Sequence, residues 1–198
     1  AVLVVGRSPC GVSHPKIEEI LHENFFDFSP IQARFADCDA CFFCLGVSAA
    51  GMSEADYHRL AFDLTLAAAS AMVAVNRQLT FCYVSGLGTD GTERGRVMWA
   101  RVKGKTENAL LALPFRAAYM FRPGFVQPLK GVRSKTRLYA VLYALLTPLY
   151  PLLRMMPRYV TDSVSLGRAM IRVARVGNPE QIVESRNINR LGCVKAAR

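Results

Sequence analysis

Arg7 is the first side chain in this sequence placed to do chemistry. It follows the apolar run Val2-Leu3-Val4-Val5 and a glycine, the pattern of a buried parallel strand ending in a tight turn. After the second strand of a dinucleotide-binding sheet, an acid holds a ribose 2′-hydroxyl, whereas an arginine accepts a 2′-phosphate. Arg7, with Ser8 beside it, is therefore a candidate phosphate contact that favours NADP. On that placing, the first strand and its glycine-rich turn would lie about 20 residues upstream of Arg7. The expectation is a sheet that lacks its first strand and helix, and that holds dinucleotide weakly or not at all.

A second candidate is Ser85-Gly86, at the end of the apolar run 79–86. Ligands of doubly wound sheets bind outside the carboxyl ends of the strands. Arg7, Asp27, Leu45-Gly46, Ser85 and Pro123-Gly124 all fall at such ends. The spacing Cys38-x-x-Cys41-x-x-Cys44 invites a metal reading, but residues three apart on one strand point to opposite faces, and no further Cys or His follows at usable spacing. No metal is expected, and the six cysteines read as free thiols of a cytoplasmic protein.

The elements that would position these groups alternate. Strands are expected at 2–5, 24–28, 40–46, 79–86 and 117–122, with a short last one at 181–185. Helices are expected at 54–76 (capped by Ser53), 95–113 and 163–175, the last ended by Gly177. Runs apolar throughout, separated by helices, are the signature of a parallel sheet covered on both faces. The expected fold is α/β, a Rossmann-type doubly wound parallel sheet with a helical C-terminal region. Residues 1–132 would form the truncated nucleotide-binding domain, and residues 133–198 a substrate region packed on it.

Composition narrows the partners. Of 198 residues, 52% are hydrophobic, enough for one domain with a sizeable core. The net charge of +10 is uneven, with 5 Lys/Arg against 11 Asp/Glu before Arg94 and 20 against 4 from there on. Such a basic half points to an anionic partner or to a plain solvated surface. No zinc-finger spacing or RNA-binding aromatic signature is present, so nucleic acid is not expected. The uncharged run 138–153 is flanked by Arg133, Lys135, Arg137, Arg154 and Arg158. Interrupted by Pro148 and Pro151, it is too short to span a bilayer. It reads either as a buried rim helix or as an interfacial helix giving segment 133–158 a peripheral membrane contact.

The strings Tyr83-Val84-Ser85-Gly86, Met98-Trp99-Ala100-Arg101-Val102-Lys103-Gly104-Lys105-Thr106-Glu107 and Phe121-Arg122-Pro123-Gly124-Phe125 resemble the atypical short-chain dehydrogenase/reductases, in their NAD(P)-binding, epimerase-like branch. The resemblance runs from Val2 to about Ile188. It implies a Ser, Tyr-x-x-x-Lys active site in which Ser85 matches the serine and Lys103 the lysine that binds the nicotinamide ribose. It also implies that Arg122-Pro123-Gly124 lies beside the nicotinamide, Asp27-Phe28 beside the adenine, and Leu45-Gly46 beside the adenine-side ribose. The tyrosine position is Trp99, and an indole N–H cannot cycle a proton near neutral pH, so the usual acid/base is absent. Three function classes follow. The first is an NADP-dependent oxidoreductase or epimerase relative acting on a small molecule. The second is a catalytically silent nucleotide-binding or scaffold protein, and the third a peripheral membrane protein. Self-association through unpaired strand edges is expected in any of them.

Overall fold

The computed structural model of the chain describes residues 1–129 and 156–193. The basic segment 133–158 lies almost wholly outside the described residues. Four parallel strands form the central sheet in the order β3 (Ala40–Phe43), β4 (Thr80–Val84), β5 (Ala117–Arg122) and β8 (Ile182–Glu184). Cys41 pairs with Phe81, Phe81 with Ala118, and Phe121 with Val183. A separate parallel pair joins β1 (Val2–Gly6) to β2 (Ile17–Leu21), and another joins β6 (Phe125–Gln127) to β7 (Val160–Asp162).

The period of two along a strand sorts the core onto two faces. Phe43, Phe81, Tyr83 and Met120 pack with Leu64, Ala68 and Met72 of helix α2 (Leu64–Val75) and with Leu110 of helix α3 (Met98–Ala112). On the other face, Cys82, Tyr119 and Phe121 pack with Met170 and Val173 of helix α4 (Ser163–Val176) and Ile188 of helix α5 (Ser185–Cys193). Helices thus cover both faces, as the apolar strands demand.

Local chemistry sets the helix ends. Ser53 caps helix α1 (Glu54–His58), its hydroxyl accepting from the Asp56 N–H at 3.1 Å. Asp162 caps α4 by accepting from Val164 and Ser165 at 2.9 and 2.8 Å, and Gly177 ends it at φ 75. The long helix expected at 54–76 is interrupted by a π turn, Arg59–Asp63, between α1 and α2. The helix expected from residue 95 starts at Met98, because Gly95 is held outside it by its N–H bond to the Asp90 carboxylate at 2.6 Å.

The strand expected at 24–28 is not one. Asn24 and Asp27 side chains accept from the Phe26 and Ser29 N–H groups at 3.1 and 2.9 Å, turning the chain into a 3-10 helix, Ser29–Phe35. Phe25 and Phe28 are apolar for a different reason: they pack on His22 and on each other. The strand of this region is β2. Strand β1 is half-exposed rather than fully covered, with Val2 at its open end.

Candidate functional site

Two adjoining cavities open at the carboxyl ends of β1 and β3. The first, about 400 Å³, is lined by Arg7 from the end of β1, by Glu23, Phe25 and Phe26 from the turn after β2, and by Leu45-Gly46 from the loop after β3. Outside the lining, the Arg59 guanidinium stands 5.1 Å from the centre of the Phe26 ring. Arg7 enters no ion pair among the described residues, and it is the only Lys or Arg among the residues lining this cavity. An unpaired guanidinium over an apolar floor suits a phosphate beside a flat ring.

The second cavity, about 500 Å³, shares the lining residue Val47 with the first and lies by the loop after β3 and the start of α3. Ala49 and Ala50 line it from the loop, Tyr57 from α1, and Trp99 and Lys103 from α3. Residues 99 and 103 stand one helical turn apart, so they share a face. The Trp99 indole lies over the turn after β4, with added Cβ atoms at Gly86 and Gly88 falling 3.8 and 3.7 Å from its ring. Lys103 Nζ donates to the Tyr83 hydroxyl at 3.4 Å and lies 5.2 Å from the centre of that ring. Burial pulls the Lys103 ammonium down from 10.5 to about 8, with Glu107 acting in the opposite direction.

The structure brings Arg7, Leu45 and Gly46 together in one cavity and sets Lys103 and Trp99 in the other. The remaining sequence candidates sit elsewhere. Ser8 is exposed and lines neither cavity. Asp27 caps the turn at Ser29, and Phe28 is buried in the core. Ser85 is buried, with its Oγ 2.9 Å from Thr89 Oγ1. Because Thr89 donates its own proton to the Gly86 carbonyl, the Ser85 proton is committed to Thr89. Arg122 is turned to Glu107 and Glu184. Pro123 accepts from the Leu87 N–H at 2.8 Å, and the Gly124 backbone packs against Tyr159. Tyr57 and Val47 were not among the sequence candidates. Neither sits in a recognisable motif; only the meeting of α1 with α3 brings Tyr57 to the cleft.

No protein-family model and no curated protein sequence matches the chain. Solved structures do. The Bordetella bronchiseptica enzyme WbmG, solved with NAD, superposes with a TM-score of 0.62 at 10% identity, over 91% of this chain and 63% of its own. WbmF of the same organism, solved with NAD+, gives 0.61 at 13% identity, over 95% and 68%. RMD from Pseudomonas aeruginosa, complexed with NADPH, gives 0.54 at 13% identity, over 88% and 71%. The chain thus has the Rossmann-type α/β fold of these NAD(P)-bound enzymes and spans about two thirds of their length.

Proposed function

We propose that this chain binds a nicotinamide dinucleotide, NADP by preference, along the double cleft, and belongs to a small-molecule oxidoreductase or epimerase-like protein of the atypical short-chain dehydrogenase type. The observation that carries the reading is that the two cavities adjoin at Val47, with Arg7, in no ion pair among the described residues, lining one and the half-buried Lys103 lining the other. In this reading Arg7 takes the 2′-phosphate and stacks on the adenine, Leu45-Gly46 edges the adenosine ribose, and Lys103 holds the nicotinamide ribose. The dinucleotide supplies hydride transfer; the chain supplies binding, orientation and the proton. The apolar wall of Val47, Ala49, Ala50 and Met98 fits a substrate carbonyl in weakly polar surroundings.

Trp99 and the committed Ser85 hydroxyl favour a second reading, in which the cleft binds nucleotide without turnover. Both readings share one test. Calorimetric titration should show NADP bound more tightly than NAD, and Arg7→Ala should remove roughly tenfold or more of that preference, the worth of a charge-assisted phosphate contact. Equal affinity for the two nucleotides, or a preference untouched by Arg7→Ala, overturns the Arg7 assignment.

A further inference from the structure

We infer that the Tyr57 hydroxyl is the proton donor and acceptor of this site, in the place left empty by an indole at Trp99; this rests on the nucleotide-binding reading above. Of the residues lining the second cavity, only Tyr57 and Lys103 carry groups that ionise in water. Tyr57 is 2% exposed, and its hydroxyl makes no hydrogen bond among the described residues. The hydroxyl oxygen is not among the fully buried unpartnered atoms and opens to the cavity, where a substrate oxygen can meet it. Its ring packs against Trp99, Val102 and Met98 of α3, on the flank of the helix that presents Lys103. The π turn Arg59–Asp63 follows directly and resets α1 relative to α2. Such turns concentrate at functional sites.

The surroundings hold Tyr57 as the neutral phenol, the form that donates: burial pushes its pKa up. Tyr83, from β4, is close enough that charge on one phenol disfavours charge on the other, and Tyr83 meets Lys103 Nζ. Glu107 of α3 acts on Tyr83 in the same sense. The charged side chains of α1 are engaged elsewhere: Glu54 by Arg101 at 2.7 Å, Asp56 by Ser53 at 2.7 Å, and His58 by Asp63 at 3.3 Å. A reduced nicotinamide dinucleotide, if bound here, would supply hydride to a carbonyl carbon, leaving the π electron pair on the carbonyl oxygen. That oxygen takes the Tyr57 proton, giving an alcohol and a phenolate. The phenolate recovers its proton from solvent in the cavity. The substrate class is a ketone or secondary alcohol with apolar flanks.

The test places 3-fluorotyrosine at position 57 of the full chain and follows its ionisation by fluorine NMR, with and without millimolar NADP+. A cationic ring within reach should lower the phenol titration midpoint by about one pH unit or more. Lys103→Met should raise the midpoint of the nucleotide-bound form. Tyr57→Phe should leave NADP+ affinity within about twofold, since the phenol serves the reacting oxygen and not the cofactor. NADP+ bound with the Tyr57 titration unmoved overturns the inference alone. Failure of NADP+ to bind, read by calorimetry, overturns the parent reading and the inference with it.

Discussion

Arg122 holds Glu107 from two nitrogens, with Nε and Nη2 donating to carboxylate oxygens at 3.0 and 2.5 Å. Glu107 is 1% exposed, and Arg122 Nη1 also meets Glu184 of β8 at 3.3 Å. The arginine that sequence reading set beside the nicotinamide therefore ties α3 to β5 and β8. Removing one partner of a buried pair leaves the other charge uncompensated, at a cost of about 3–5 kcal/mol. Glu107→Ala and Arg122→Ala should each lower the urea midpoint strongly, and Glu184→Ala only slightly, because Glu184 is half-exposed. A stable Arg122→Ala protein that loses nucleotide affinity would show that Arg122 serves the cofactor and not the fold.

Lys103 gives the fold a pH signature. Its ammonium loses protons near pH 8 in the folded chain and near 10.5 when exposed, because burial disfavours the charged form. Between those values the unfolded chain binds more protons, so this group's contribution to stability rises with pH across the window and is flat below it. Lys103→Met should erase that rise. Thermal melts from pH 7 to 10.5 on both proteins read it, and a wild-type curve parallel to that of the variant would refute it.

Gly104 is a spacing residue. A Cβ there would overlap the Asp90 carbonyl, which the loop after β4 lays directly on α3. Gly104→Ala should push this loop off the helix, with an overpacking cost of about 1–3 kcal/mol. The neighbouring Lys103 should shift with it, so the mutant's stability rise above pH 8 should shrink. Unchanged denaturation midpoints would show that the loop yields freely.

The sequence was readable where burial and local chemistry agree. Strands β4 and β5 are apolar on both faces because helices cover both, and the start of α1 and the end of α4 announce themselves in Ser53 and Gly177. Strand β2 was hidden because Ile17-Glu18-Glu19-Ile20-Leu21 carries its glutamates on an exposed edge and spaces its isoleucines as a helix would. The three-residue strands β6 and β7 pair across more than thirty residues of chain, which no local pattern encodes. Arg7, picked out by its place after a strand, and Lys103, picked out by the family resemblance, each line one of the two cavities. Tyr57 was not picked out, because its place depends on a helix-helix contact and a π turn.

The last prediction concerns the gap between β1 and β3. Among the described residues, strand β1 pairs only with β2 and β3 only with β4, yet Leu3 and Val5 of β1 pack on the same core as Phe43 of β3. Arg7 and Leu45, just past their carboxyl ends, line one cavity. Phe42 is left 43% exposed on β3. Each buried backbone group left unpaired costs about 1–3 kcal/mol, and an open edge invites pairing with a second copy. Fusing a strand, glycine-rich turn and helix ahead of Ala1 should fill this space, with the helix N-terminus facing the cleft where a pyrophosphate would lie. The fused protein should melt about 5 °C or more above the 198-residue chain, scatter less light and bind NADP more tightly. If the unfused chain is monomeric, melts as high and binds NADP equally well, its edges need no further strand and the gap is closed by other means.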